Sequence, residues 1–133
     1  MPGHAVAIMV VTPEGIPLIR DPKKPVPIYW KLPGGRSENE ETAEEVALRE
    51  LEEEIGISMD ELRLVYQENR GNHVFSLFRL DLPRLPQLKE HGDEGEEIKI
   101  LVISAFRNHE VLKYPYGYKA KHCFWVRGQL FEG

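Results

Sequence analysis

The feature that most constrains the fold of this chain is a stretch over residues 41–55 that contains neither glycine nor proline. It is rich in Ala, Leu and Glu, which are strong helix formers, and Gly56 follows it as a typical helix stop. Acidic residues crowd its start, where the helix dipole favours negative charge. The sequence therefore predicts a helix over residues 41–55.

Short apolar segments on both sides of this helix have the composition of β-strands and are bounded by turn residues. The predicted strands cover residues 5–11, 16–20, 28–32, 62–67, 73–82 and 98–104. Strands on both sides of a central helix predict an α/β fold in which helices cover a mixed sheet. Residues 83–97 predict a long polar loop because prolines and glycines recur there.

The C-terminal part of the chain is harder to interpret from its pattern. Ser104 is a suitable cap for a helix over residues 105–113. The apolar residues of the segment 118–131 fit neither the helical nor the strand period cleanly, and we interpret this segment as helix.

The central helix has an apolar stripe that suits docking on a sheet. At a hundred degrees per residue, Leu48, Leu51 and Ile55 form this stripe, with Ala47 at its edge. Before the helix, Pro33-Gly34-Gly35 ends a predicted strand in a loop that is suited to coordinating a ligand with its own carbonyl groups.

A second face of the helix gathers the carboxylates of Glu50, Glu53 and Glu54 at spacings of three and four residues. Like charges at these spacings repel by a few tenths of a kcal/mol per pair. A bound divalent cation would turn this repulsion into a favourable interaction. Mg²⁺ suits such a site because it prefers oxygen ligands and retains several waters. Arg49 can reach Glu45 or Glu53 four residues away. The alternative explanation is a solvated acidic face.

The spacing of particular residues distinguishes the two explanations. The pattern consists of Gly35, five residues, Glu41, seven residues, Arg49-Glu50-Leu51, one residue, Glu53-Glu54, one residue and Gly56-Ile57. It matches the signature of the Nudix hydrolase family, which this chain therefore resembles. The resemblance implies an α/β/α sandwich, with residues 1–133 as a single domain. It also implies hydrolysis of a nucleoside diphosphate linked to another group.

The resemblance further implies a divalent-metal site and assigns residues to it. Glu53 and Glu54 would be the principal ligands of Mg²⁺ or Mn²⁺. Glu50 would be a further ligand or the base that prepares water, and the carbonyl group of Gly34 would face the metal.

Two further groups would complete the predicted site. Glu41 and Arg49 would support it by pairing with each other. Members of the family often recruit one more acidic residue from a remote loop, and among Glu94, Glu96 and Glu97 we expect Glu97 to take this role.

Residues that would bind the substrate are less strongly indicated. Arg20, Lys31 and Arg36 lie near the loops and are candidates for phosphate contacts, with a solvated surface position as the alternative. Tyr116 belongs to a run of loop tyrosines that are candidates for stacking on a base, although aromatic residues are more often part of a core.

Charge and cysteine content limit the partners and the compartment. The net charge of -5 and the pI of about 5.6 disfavour extended nucleic-acid binding, which depends on many basic residues. Small nucleotides and capped or triphosphorylated RNA ends remain as ligands. Cys123 is the only cysteine, which favours a reducing, cytoplasmic location. The apolar run at residues 5–11 is too short to cross a membrane.

The choice among Nudix substrates stays open. Nucleoside triphosphates, dinucleoside polyphosphates and nucleotide sugars all fit, and a homodimer is compatible with the resemblance. One alternative is a nucleotide-sensing module without turnover, but such a module would typically lack one of the carboxylates. Another is an isoprenoid diphosphate isomerase, for which Cys123 is poorly placed.

Overall fold

The computed structural model describes residues 3–26, 28–108 and 117–132. The strands are β1 Gly3–Val11, β2 Ile16–Arg20, β3 Gly34–Arg36, β4 Arg63–Asn69, β5 His73–Asp81 and β6 Glu97–Leu101. The helices are α1 Ala43–Ile55 and α2 Ala120–Arg127, and short 3₁₀ and π-helical segments cover Ile103–Arg107 and Gly128–Glu132. Within these ranges no helix is long and apolar enough to span a membrane.

A four-stranded mixed sheet in the order β3-β1-β5-β4 forms the centre of the fold. Strands β1 and β5 are parallel, whereas the β1–β3 and β4–β5 pairs are antiparallel. Strands β2 and β6 form a separate antiparallel pair. One core cluster joins the central sheet to α1, and a second joins it to the β2–β6 pair and α2. The predicted α/β class with a mixed sheet is confirmed.

Helix α1 begins at Ala43, two residues later than predicted, because Thr42 caps it. The Thr42 hydroxyl accepts a hydrogen bond from the Glu45 N–H, and the Glu45 carboxylate accepts one from the Thr42 N–H. This reciprocal pair satisfies amide groups that the first helical turn leaves free. Gly56 ends the helix in the left-handed conformation, with φ of 83°, as the sequence predicted.

The apolar face of α1 differs in part from the predicted stripe. Leu51, Ile55 and Ala47 are fully buried against the sheet, but Val46 is also fully buried. Leu48 is only half-buried. The buried face is therefore rotated away from Leu48, and the inward-facing sector includes positions of the acidic pattern.

The region around the two adjacent glycines was predicted incorrectly. Gly34–Arg36 forms strand β3 instead of a loop, whereas residues 28–32 make only isolated bridges at Trp30 and Lys31. A side chain at Gly34 would place its Cβ 2.0 Å from the Val6 carbonyl oxygen. Glycine therefore allows β3 to approach β1 closely.

The C-terminal predictions have mixed outcomes. Strand β6 ends at Leu101, and Ser104 lies inside a 3₁₀ helix instead of capping an α-helix. Residues 109–113 of the predicted helix lie outside the described ranges. The helical interpretation of the tail is confirmed by α2 and the π-helical segment.

Candidate active site

A cavity of about 600 Å³ lies beside α1 and β3, and acidic and basic side chains line it together. Its carboxylates include Glu50, Glu53, Glu54 and Glu96, which we call the acidic end. Its basic side chains include Lys31, Arg70, Lys119 and His122, which we call the basic end. The three α1 carboxylates singled out by the sequence thus line a single cavity.

Glu54 is the most buried carboxylate of the acidic end, with 6% of its surface exposed. Its Oε1 accepts a hydrogen bond of 2.7 Å from the Gly34 N–H. Burial, followed by the nearby charge of Glu50, raises the pKa of Glu54 to about 8. A buried carboxylate favours its neutral form unless a cation compensates its charge. Glu54 is therefore poised to gain from a positive ligand.

Glu50 occupies space that Gly35 leaves free. A Cβ at Gly35 would lie 2.7 Å from the Glu50 carboxylate carbon, so a larger residue would displace this side chain. Burial raises the pKa of Glu50, while the adjacent Arg49 opposes the increase. Glu50 and Glu54 thus occupy the inward-facing sector of α1, whereas the sequence predicted a face separate from the docking face.

Arg49 connects several acidic groups around the site. Its Nε and Nη2 donate to the two oxygens of Glu41 at 2.7 and 2.8 Å, and its Nη1 lies 3.3 Å from Glu53. Its Nη2 also donates to the carbonyl group of Arg36. Glu45, the other predicted partner, is engaged in the helix cap instead. The bidentate pair with Glu41 lowers the pKa of that carboxyl and holds the guanidinium group in place.

Three carboxylates of the long loop, Asp93, Glu94 and Glu96, line the cavity, whereas Glu97, the sequence-based choice, does not. Glu97 pairs with Arg20 across the β2–β6 ladder at 2.8 Å, and neither residue is among those lining the cavity. Glu96 is 7% exposed and accepts a hydrogen bond from the Glu94 N–H. Its charge contributes to the raised pKa of Glu54. Glu96 belongs to the loop that precedes β6, whereas Glu97 is the first residue of that strand.

The long loop before β6 is anchored to the end of α1. The Lys89 N–H donates to the Ile55 carbonyl group, and the Asp93 N–H donates to the Glu53 carbonyl group, both at 3.0 Å. A Cβ at Gly92 would lie 2.3 Å from the Glu96 carboxylate. These contacts satisfy free carbonyl groups of the last helical turn and bring Glu96 to the acidic end.

Only some of the predicted substrate-binding residues line the cavity. Lys31 and Arg36 line the cavity, whereas Arg20 is paired with Glu97 and lies 4.6 Å from the ring centre of Trp30. Tyr116 lies outside the described ranges. The sequence singled out Lys31 but neither Lys119 nor His122 at the basic end.

His122 is held in a defined orientation at the basic end. Its Nδ1 accepts a hydrogen bond of 3.0 Å from the Leu32 N–H, and its ring stacks on Trp125 with centres 5.0 Å apart. Trp125 in turn stacks on Phe75 at 4.5 Å. Burial, together with the charge of Lys119, lowers the pKa of His122 to about 3. The ring is therefore neutral at pH 7 and carries its proton on Nε2.

No pattern in the sequence identifies His122 as a site residue. It belongs to the tail segment 118–131, whose apolar residues fit neither the helical nor the strand period, and it lies far from the acidic pattern. Cys123 follows it and is buried in the core, where burial raises the pKa of its thiol to about 11. A neutral buried thiol is a poor nucleophile, which argues against cysteine-based chemistry.

The donors of the acidic end fit a divalent cation such as Mg²⁺. They are carboxylate oxygens, and burial disfavours the charged forms of Glu50 and Glu54 in the absence of a cation. In the described part of the chain, no group of three or more acidic, histidine or cysteine side chains is arranged to hold a metal ion. Mg²⁺ usually retains waters and binds one or two carboxylates together with substrate phosphates, so it does not need three protein ligands.

Comparison with known proteins indicates the family of this chain. The family model for the NUDIX domain matches residues 1–122. The 8-oxo-dGTP diphosphatase of Proteus vulgaris is 49% identical over 37 residues, which cover 28% of this chain and only 33% of that relative.

Solved structures resemble nearly the whole chain. A MutT structure from work on Aliivibrio salmonicida and Vibrio cholerae has a TM-score of 0.73 at 25% identity, covering 98% of this chain and all of that chain. A bifunctional NMN adenylyltransferase/ADP ribose pyrophosphatase from Francisella tularensis has a TM-score of 0.71 at 20% identity, covering 99% of this chain and 42% of that chain. With its family model matched over most of its length, this chain belongs to the NUDIX domain family.

Proposed function

We propose that this protein is a divalent-metal-dependent pyrophosphohydrolase that cleaves a nucleoside diphosphate linked to another group. The substrate classes are nucleoside triphosphates, dinucleoside polyphosphates and nucleotide sugars. The observation that supports this most directly is the gathering of Glu50, Glu53, Glu54 and Glu96 along one cavity. Two of these carboxylates are buried, so the acidic end requires a cationic ligand when they are ionised.

In this proposal Glu53 and Glu54 are the principal ligands of Mg²⁺ or Mn²⁺, and Glu96 replaces Glu97 as the carboxylate from the loop. When bound, the cation would neutralise phosphate oxygens and lower the pKa of a bound water. The Gly34 N–H orients the Glu54 carboxylate through its hydrogen bond. The Francisella tularensis relative is described as a complex with AMP and a manganese ion, which is consistent with this cofactor class.

Glu50 serves as a further ligand or as the general base. One of its oxygens, Oε1, accepts a hydrogen bond of 2.8 Å from Arg49. This contact restricts the carboxylate while burial raises its pKa, and a raised pKa makes a carboxylate a better proton acceptor. Arg49 and Glu41 are positioning residues because they act through the other carboxylates.

The relatives indicate which nucleotide to test first. The Proteus vulgaris relative is named for 8-oxo-dGTP, and a structure that matches 98% of this chain is of a MutT protein. We therefore propose 8-oxo-dGTP as the first triphosphate in a substrate series. The short alignment to the named diphosphatase makes the other substrate classes equally important to include.

The test is a hydrolysis assay with purified protein, Mg²⁺ or Mn²⁺, and a panel of triphosphates, dinucleoside polyphosphates and nucleotide sugars. The products are separated to show which phosphoric anhydride bond is broken. We expect metal-dependent cleavage of at least one substrate and loss of cleavage in Glu54→Gln. Tight nucleotide binding without turnover across the panel would instead indicate a nucleotide-sensing module.

A further inference from the structure

The basic end of the cavity contains charges that the hydrolysis of a diphosphate at the acidic end does not explain. Lys31, Arg70 and Lys119 line the same cavity as the carboxylates. Among the described residues, neither Lys31 nor Lys119 has a carboxylate oxygen within ion-pair distance of its ammonium group, whereas Arg70 is paired with Glu68 at 2.9 Å. Two lysines thus face a shared cavity without a paired anion.

The backbone brings these two lysines together and restrains both of them. Lys31 exchanges two backbone hydrogen bonds with Ile19, at 2.8 and 2.9 Å. The Lys119 N–H donates to the carbonyl group of Trp30 at 2.8 Å, so the second lysine is anchored beside the first. Their proximity is unfavourable in the absence of a ligand, and repulsion from Lys31 adds to the effect of burial in lowering the pKa of Lys119.

Neutral groups complete the basic end. His122 carries its remaining ring proton on Nε2, because its Nδ1 accepts from the Leu32 N–H. The stacked rings of Phe75 and Trp125 keep this imidazole in place. A fixed neutral N–H donor beside two ammonium groups is suited to a phosphate oxygen, which accepts charge-assisted hydrogen bonds.

We propose that the basic end is a second anion subsite, and that the preferred substrate carries a phosphate beyond the two that flank the cleaved bond. This inference rests on the proposed function, because the acidic end is taken to bind the cleaved diphosphate with its metal. The charge of Lys31 already acts on Glu54, where it opposes the raised pKa. Neither lysine has an ion pair among the described residues, so a further phosphate would give Lys31 and Lys119 an anionic partner. The preferred class is therefore a nucleotide with three or more linked phosphates, such as a dinucleoside polyphosphate or a nucleoside triphosphate, in preference to a nucleotide sugar.

A binding experiment tests the subsite without requiring turnover. Calorimetry with inorganic tripolyphosphate and with pyrophosphate, in a metal chelator, is performed on the wild type, on the double variant Lys31→Met and Lys119→Met, and on Lys121→Met. Methionine keeps much of the length of the lysine stem but removes its charge. Lys121 is the matched control because it lies on the same helix and its ammonium group lies over the Trp125 ring, outside the cavity lining.

We expect tripolyphosphate binding to weaken at least about tenfold in the double variant and less than about twofold in Lys121→Met, since hydrogen bonds to charged groups contribute more than the typical neutral bond. If Lys121→Met weakened binding equally, the loss would reflect long-range electrostatic attraction and not contacts at the cavity. That result would overturn the subsite. Undetectable tripolyphosphate binding to the wild type, or unchanged binding in the double variant, would overturn it as well.

Kinetics then assign the substrate class. The double variant should raise KM for diadenosine tetraphosphate about tenfold or more while changing KM for ADP-ribose, which has two phosphates, less than about threefold. The same proportional change for both substrates would reject a preference for the additional phosphate. If the wild type hydrolyses neither compound nor any other nucleotide, the proposed function fails, and the calorimetry still decides whether the anion subsite exists.

Discussion

The acidic and basic ends of the cavity are built in different ways. Three of the four carboxylates at the acidic end come from one helix, at spacings that any α-helix converts into proximity. The basic end takes Lys31, Arg70, Lys119 and His122 from segments spread over most of the chain. The first end is encoded by local periodicity, and the second exists only after the chain has folded.

The two ends also differ in how their charges are compensated within the protein. At the acidic end Arg49 contacts Glu50 and Glu53, yet Glu54 remains buried with a raised pKa. At the basic end two lysines have no paired carboxylate among the described residues. A cation would stabilise the ionised form of Glu54, and an anion would give the two lysines a partner, which is the arrangement expected for binding a metal at one end and a phosphate at the other.

The largest expected effect comes from removing charge at the acidic end. Glu53→Gln and Glu54→Gln should each lower kcat/KM more than about a hundredfold, because even the outer partners of metal ligands typically contribute 10–100-fold. The amide of Glu54→Gln can still accept the Gly34 hydrogen bond, so circular dichroism should show an intact fold.

Glu52→Gln is the matched control for these two substitutions, since Glu52 is exposed on the same helix. It should retain wild-type turnover. Near-normal rates in Glu53→Gln and Glu54→Gln at saturating Mg²⁺ would contradict the assignment of the acidic end as the metal site.

A smaller effect is expected from Arg49→Lys, which retains the charge but loses the bidentate pairing with Glu41. We expect kcat to fall about 10- to 100-fold, as for other residues that orient metal ligands. Arg63→Lys changes an exposed pair with Asp81 and serves as the control. Equal activity in Arg49→Lys and the wild type would show that charge alone suffices at this position.

The neighbouring pair Glu96 and Glu97 allows a sharper comparison. Glu96→Gln should lower kcat/KM about tenfold, because its carboxylate reaches the acidic end. Glu97→Gln should change kcat/KM less than about twofold, since it removes a half-exposed pair with Arg20. Steady-state kinetics with Mg²⁺ titration measure both. The opposite ranking would restore the choice made from the sequence.

The last effect concerns the stability of the metal-free protein and not its turnover. The pKa of Glu54 is raised from 4.5 to about 8, so between these values the folded state binds more protons than the unfolded state. The stabilising contribution of the protonated group is fully present below pH 4.5 and is lost as pH rises through 8. The free energy of unfolding should decrease by no more than about 1.4 kcal/mol per pH unit from this group.

Urea unfolding in a chelator from pH 5 to pH 8 measures this dependence, and Glu54→Gln should have a flatter profile than the wild type. Added Mg²⁺ should oppose the decrease, because metal binding requires the ionised carboxylate. Parallel profiles in the two proteins would contradict the raised pKa.

Residues with local signals were predicted well, and residues that depend on remote contacts were not. Helix α1, its Gly56 stop and the pairing of Arg49 with Glu41 follow from spacing within a short segment. Glu97, the choice made from the sequence, does not line the cavity, whereas Glu94 and Glu96 do. The loop contacts to Ile55 and Glu53, made across the fold, hold this loop against the end of α1.

The sequence by itself determined the family, the α/β class and the grouping of three carboxylates on one helix, because each depends on the regular geometry of neighbouring residues. Tertiary structure alone decided which side of α1 faces the sheet, which loop carboxylate joins the site and which basic residues share its cavity. These outcomes depend on packing between segments that are distant along the chain. Burial and charge at such contacts, which no local pattern reports, set the chemistry of both ends.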